Sequence, residues 1–389
     1  MNLKLNGFLK WDRILIILAV AGFFYGISQG IQNTVHMNYL SEVQGIGPEQ
    51  IGFIDGIREI PGLFTAVLAL AALYFTESIL AALCLVFVSL GLLVYGQATS
   101  FSMIIAGTLI NSVGFHLYTP LQNSILLRTS RPNERGKRLG TMNSIMAAAT
   151  VTAALLVGWL VPIIGFRNIL MIAAFMSMIG AAVQALSKRT GMAEVKTRGL
   201  VFKWKYISYY GLTLLGGSRR QINHTFARMA LVVLYGVPVT TMAALMLTAN
   251  LLSIVMRPLF GRIIDAVGES RALMANYSLI TLIFLFYAYA PITPLLYVVF
   301  VMDLLLIGMD IAVSTHLDKI AERPDVAPSL AMGSTINHIT GILVPMGGGI
   351  MWATLGPRSV FLTGAIICTL SVLQAWRLPL HQRDEASSV

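Results

Sequence analysis

Charge is scarce in this 389-residue sequence: Asp, Glu, Lys and Arg together make 11% of it, against about 25% in an ordinary soluble domain. That shortage excludes a sizeable water-soluble domain. Cysteine is rarer still. Cys84 and Cys368 stand far apart inside apolar runs without CxxC spacing, so the sequence encodes neither a zinc knuckle nor a disulfide framework. A P-loop and an HExxH set are both missing, so ATP hydrolysis and zinc-protease chemistry are not expected. The chain reads as a protein without enzymatic activity and without a cofactor. The histidines His36, His116, His224, His316, His338 and His381 offer no pair at ligand spacing, and a transition-metal substrate would need a wholly tertiary site.

Apolar residues are abundant, at 56%. A helix needs about 20 of them to cross the roughly 30 Å hydrocarbon layer. Breaking the chain at proline, glycine and charge clusters gives twelve such segments. They run over residues 14–40, 50–74, 79–95, 102–127, 140–163, 168–185, 206–234, 240–264, 272–290, 295–317, 330–355 and 360–376. The first is too long for the apolar core of a signal peptide and is read as a retained span. An all-α membrane protein follows, with the lipid bilayer as its main partner.

The longest polar stretch, residues 188–205, carries Lys188, Arg189, Lys196, Arg198, Lys203 and Lys205 against Glu194. It divides the chain into an N-terminal half (1–187) and a C-terminal half (206–389), each with six segments. With both termini in the cytoplasm, most Lys and Arg fall on cytoplasmic connectors, while Arg167 and Arg358 lie at the outer face. That asymmetry is the positive-inside pattern of a multi-pass protein of the cytoplasmic (inner) membrane. The formal net charge of +10 is therefore an orientation signal, and no nucleic-acid partner is expected.

The halves repeat at an offset near 190. Gly26, Ser28 and Asn33 fall on Gly216, Ser218 and Asn223; Thr76-Glu77-Ser78 falls on Gly268-Glu269-Ser270; Arg128 falls on Lys319; and Gly165-Phe166-Arg167 falls on Gly356-Pro357-Arg358. Parallel repeats of this kind place a substrate site between two similar bundles.

Two stretches carry a family resemblance. Gly261-Arg262-Ile263-Ile264-Asp265-Ala266-Val267-Gly268-Glu269-Ser270-Arg271 is similar to the loop pattern of the major facilitator superfamily, and Asn133-Glu134-Arg135-Gly136-Lys137-Arg138-Leu139-Gly140 resembles the segment leading into that family's fifth helix. The first-half loop, Leu73-Tyr74-Phe75-Thr76-Glu77-Ser78, lacks the Asp and Gly of the pattern, and the fifth segment lacks the Gly-Pro-rich antiporter signature. The resemblance covers the whole chain. It implies twelve transmembrane helices in two pseudo-symmetric six-helix bundles, with Asp265 as a latch on the cytoplasmic side and segments 1, 4, 7 and 10 lining the cavity.

Ionisable groups at membrane depth cost about 2.5–3.5 kcal/mol each to insert, so they should face a cavity, an interface or one another. Arg219 and Asn223 share one face of segment 7, and Arg220 and His224 another, about 100° apart. The repeat sets Gln29 and Asn33 at the places of Arg219 and Asn223. Adjacent arginines suit carboxylates or phosphates through paired charged hydrogen bonds, and the resemblance adds His116, Gln122 and Asn123 as substrate contacts. The alternative is an internal network in which Asp55, Glu59, Asp303 and Asp310 balance Arg58, Arg219, Arg220 and Arg228.

Asp55, Arg58, Glu59, Asp265, Asp303, Asp310 and His338 are the candidates for proton coupling or gating. The functional expectation is a monomeric, proton-coupled secondary transporter of a small anionic or polar organic solute. Alternatives are a multidrug/proton exporter, a metal-ion transporter, and a sensor or assembly protein that moves nothing.

Overall fold

A computed structural model describes residues 12–65, 75–187, 202–289 and 294–378. Most of the basic connector, residues 188–201, lies outside those residues, as do Leu73, Tyr74 and His381. The secondary structure is helical, with no strand among the described residues. That is what hydrocarbon demands of a chain that cannot hand its backbone polar groups to water.

The helices are α1 (Arg13–Asn38), α2 (Pro48–Ile57), α3 (Ile60–Leu63), α4 (Glu77–Gly96), α5 (Phe101–Thr129), α6 (Arg135–Ala185), α7 (Ile207–Gln221), α8 (Val239–Val267), α9 (Glu269–Tyr289), α10 (Pro294–Leu306), α11 (Ile311–Ile320), α12 (Arg323–Leu355) and α13 (Pro357–Trp376). Among the described residues nine helical stretches are long and apolar enough to cross a membrane. The difference from twelve segments has local causes. α6 holds segments five and six, which meet at a turn where Gly165 takes φ +78°, a left-handed value that a side chain resists. Segment two is interrupted at Arg58–Glu59, just before Pro61, whose ring supplies no backbone N–H, and its residues 66–74 lie outside the described ones. Segment seven is α7 followed by π-helical turns over Ile222–Ala227 and Ala230–Leu234. Exposed Trp159, Ile163, Phe175, Leu355 and Trp376 fit lipid-facing positions.

The chain forms two compact units. Residues 12–36, 64–65 and 75–187 make the first; Met37–Leu63 and residues 202–289 and 294–378 make the second. In the first unit α4 packs on both α5 and α6. Its charged end is tied by Arg138, which meets Asp12 at 2.9 Å and Glu134 at 3.1 Å, and by Glu77, which meets Arg128 at 3.4 Å and accepts from Ser124 at 2.7 Å.

In the second unit α2 lies against α12, α9 against α13, and α7 against α12. The α2–α12 approach is close enough that Gly52 and Gly349 nearly touch: a methyl on Gly52 would collide with the Pro345 carbonyl oxygen and come within 2.9 Å of the Gly349 Cα. Small residues allow that approach where helices meet without a hydrophobic driving force. Outside the spans, Lys203 meets Asp325 and Lys205 meets Glu322, each at 2.6 Å. The carboxylates hold both ammonium groups above the ordinary lysine range.

The internal repeat reaches the backbone. Gly45 and Gly236, Gly165 and Gly356, and the π turns Tyr39–Val43 and Ala230–Leu234 each sit 191 residues apart. Glu77–Arg128 in the first unit is matched by Glu269–Lys319 (2.7 Å) in the second. The Arg167 guanidinium donates to the Ala98 carbonyl, and that of Arg358 to the Ala288 carbonyl. Two folded copies of one sequence pattern therefore make the same contacts.

Candidate functional site

The second unit holds most of the buried charge, and α7 positions it. Tyr209, Leu212, Thr213, Gly216 and Gly217 form the inward stripe of this helix. At its C-terminal end Arg219 and Arg220 diverge. Arg219 is fully buried and donates from Nη2 to Asp310 Oδ1 at 2.7 Å. One turn on, Asn223 donates to Asp303 Oδ2 at 2.5 Å, with both residues buried. The Arg219–Asn223 face thus meets the two acids of α10 and the short 3-10 turn Ile307–Asp310 that follows it.

Arg220 lines a cavity of about 150 Å³ and donates from Nη2 to Asn337 Oδ1 on α12 at 2.7 Å. Tyr209, Thr213, Tyr277, Asp310, Ser314 and Asn337 share the wall with it. The space is that of about five waters, or of one small polyhydroxylated ring. Asp310 is the hinge between the two settings: its carboxylate takes the buried guanidinium and also borders the cavity. Of the adjacent arginines, then, Arg220 is at the cavity wall and Arg219 in a buried ion pair. His224, one turn beyond Arg220, is half-buried.

A second polar cluster surrounds the break between α2 and α3. Glu59 lies 3.5 Å from the Arg58 guanidinium and 3.0 Å from His338 Nδ1 on α12. Asp55, buried on α2, accepts from Thr225 at 2.6 Å, and Arg228 is within electrostatic reach of Asp55 and Arg58. Segments two, seven and eleven therefore share one network. Asp265 stands apart from it, exposed at the end of α8 with no ion pair among the described residues. The ion pair at that end of the unit is made four residues on, by Glu269 with Lys319.

In the first unit the expected polar residues are dispersed. Gln122 is buried and donates to the Leu18 carbonyl at 3.0 Å and to Tyr118 Oη at 3.2 Å, which uses its amide for helix packing. His116 shares hydrogen bonds with Ser112, one turn back. Gln29 is buried on α1, Asn33 is exposed near its end, and Asn123 is half-buried beside Gln122. The string Gly26-Ile27-Ser28-Gln29-Gly30 spells GxSxG, yet it lies inside continuous helix with Ser28 fully buried. A nucleophile elbow needs a strand-to-helix turn, so no catalytic serine arises there.

Sequence reasoning missed Tyr209, Thr213, Tyr277, Ser314 and Asn337. Uncharged residues carry no insertion penalty large enough to mark them. One signal was present: Asn337 precedes His338, and Ser314 follows Asp310 by one helical turn.

Helices of this length and apolarity, built twice from one pattern around buried charge, define a multi-pass membrane protein. The sequence pattern of the Major Facilitator Superfamily matches residues 18–317, and the chain belongs to that family. Over 148 residues, 38% of this chain, it is 28% identical to "Uncharacterized MFS-type transporter YhcA" of Bacillus subtilis (strain 168); the match spans 28% of that relative's length. Among solved structures, the nucleoside transporter NupG resembles it with TM-score 0.76 at 17% identity, covering 93% of this chain and 97% of that one. The D-xylose-proton symporter gives TM-score 0.71 at 12% identity, with 94% and 97% covered. At such identities the likeness is one of fold.

Proposed function

We propose that this chain is a proton-coupled secondary transporter of the cytoplasmic membrane, with both termini in the cytoplasm. It works as a monomer without a cofactor and moves a small polar organic solute by alternating access. The observation that carries the substrate class is the cavity wall of the second unit, where Arg220 and Asn337 stand with Asp310, Thr213 and Ser314. A guanidinium alone would favour a simple anion. The carboxylate on the same wall repels one, while the pair together suits hydroxyl groups that both donate and accept, or a zwitterion. A site built to hydrogen-bond hydroxyls discriminates strongly against analogues that lack them, because its own groups are then left unpaired. Nucleosides and D-xylose, the solutes named for the two fold relatives, carry such hydroxyl groups.

The test is thermal unfolding of the purified full chain with uridine, D-xylose, a dipeptide or citrate, followed by counterflow in proteoliposomes. A solute that binds the native state raises the apparent melting temperature. Stabilisation by uridine or xylose with matching flux supports the proposal. Stabilisation by citrate alone would return the site to anions, and binding without flux would favour a sensor.

A further inference from the structure

On the wall of the second unit's cavity, the protein leaves a buried hydroxyl unpaired. Tyr277, on α9, is fully buried, and its hydroxyl has no hydrogen-bond partner among the described residues. Asp310, Arg219 and Arg220 lie within electrostatic reach of that side chain. Facing the hydroxyl is α7 at Gly216, and here the helix leaves room: outside its own helix, a methyl built on Gly216 would meet Tyr277 Oη at 3.4 Å and nothing else within 4 Å. The next residue differs. A methyl on Gly217 would come within 2.6 Å of Thr340 Oγ1 and 2.7 Å of Asn337 Oδ1, so that glycine lets α12 approach α7. Of two adjacent glycines, one serves a helix contact and the other keeps a space open in front of an unpaired hydroxyl.

A buried polar group without a partner costs free energy, and a ligand that supplies the missing hydrogen bond removes the cost. We propose that Tyr277 is a specificity-determining residue, which reads one hydroxyl of the solute in the space that Gly216 keeps open. The neighbouring charges define the group that fits. The arginines donate only, the Asp310 carboxylate accepts only, and the phenol does both. A solute hydroxyl can accept from Tyr277 while it donates to Asp310. An ether oxygen can accept but not donate, an ammonium can donate but not accept, and a deoxy carbon does neither. The end of the solute held here is therefore a free hydroxyl, and deoxy or O-methyl analogues at that position are rejected. The reading of a solute hydroxyl rests on the proposed transport of a hydroxylated solute; the availability of the Tyr277 hydroxyl stands without it.

The experiment compares the purified full chain with Tyr277→Phe and Gly216→Ala. Without solute, Tyr277→Phe should melt at the wild-type temperature or above it, since the hydroxyl it removes is bound to nothing in the protein. Gly216→Ala should do the same, because alanine suits a helix interior and its methyl would meet Tyr277 at an ordinary contact distance. A clear fall in the melting temperature of Tyr277→Phe would show that the hydroxyl has a partner inside the protein and would overturn the proposal. With uridine or D-xylose, whichever stabilises the wild type, both variants should bind about tenfold more weakly. Wild-type affinity in Tyr277→Phe overturns the reading residue, and wild-type affinity in Gly216→Ala overturns the place given to the solute.

Monodeoxy analogues of the stabilising solute separate a lost hydrogen bond from a change of shape. The wild type should bind one of them about tenfold more weakly than the parent solute, and Tyr277→Phe should bind that analogue and the parent alike. A variant that still discriminates among all the analogues as the wild type does overturns the proposal. If neither uridine nor D-xylose stabilises the wild type, the reading of a hydroxylated solute fails. The melting temperature of Tyr277→Phe then decides by itself whether the hydroxyl is available to a ligand.

Discussion

Arg219 Nη2 lies 2.7 Å from Asp310 Oδ1, with the guanidinium fully buried and the carboxylate a quarter exposed. An ion pair at this depth binds two elements of one unit and leaves the neighbouring Arg220 on the cavity wall. Removing one partner of such a pair strands the other. Arg219→Met should therefore destabilise the protein by about 3 kcal/mol, and the double variant Arg219→Met/Asp310→Leu should recover a large part of that loss. Unfolding of the purified variants in detergent measures both. A silent Arg219→Met would show that the pair contributes nothing to the fold.

Arg220 should behave in the opposite way. Arg220→Gln should leave folded yield near wild type and weaken solute binding by about one to two orders of magnitude, the worth of a hydrogen bond to a charged group. Arg220→Lys keeps the charge and loses the planar fork that reaches Asn337, so it should fall between the two. Titration of the stabilising solute against each variant gives the order. Equal affinities across the series would take Arg220 out of the site.

The α2–α12 contact predicts a sharp difference between glycines. Gly52→Ala drives a methyl into the Pro345 carbonyl and toward Gly349, backbone atoms that cannot swing aside, and should cost about 1–3 kcal/mol. Gly347, on the same helix α12, has open space where a methyl would go, so Gly347→Ala should be neutral or slightly stabilising. Comparison of melting temperatures decides it. Equal effects would mean that the close approach is not maintained in the membrane.

At the end of α8 the two acids should separate in the same manner. Glu269→Gln loses the contact with Lys319 and should lower stability by about 1 kcal/mol, whereas Asp265→Asn, exposed and without an ion pair among the described residues, should change it by less than about 0.5 kcal/mol. Glu77→Gln, the counterpart in the first unit, should resemble Glu269→Gln because it loses the ion pair with Arg128. Thiol labelling at this end, in transport conditions, checks whether either acid also holds a gate. If Asp265→Asn alone alters labelling, the latch belongs there after all.

The helical class and the internal repeat were legible because each is written locally. Twelve apolar runs can do little else in hydrocarbon than form helices, and a glycine at a left-handed turn marks its place in both copies, as Gly165 and Gly356 do. Membrane-depth charges also announced themselves through their insertion cost. What a linear reading could not give was their pairing. Arg219 and Arg220 are neighbours of one residue type on one helix, and no spacing rule says which meets Asp310.

The sequence by itself determined that this is an all-helical, twice-repeated membrane protein whose buried charges are numerically balanced. Only the tertiary structure decided that Met37–Leu63 packs with the second unit, that Arg219 is spent on Asp310 while Arg220 meets Asn337, and that Asp303 has one oxygen unpaired. The physical reason is range. Hydrophobic runs and backbone turns act over a few residues, whereas an ion pair between α7 and the turn before α11 spans 91 positions and exists only once both elements have packed.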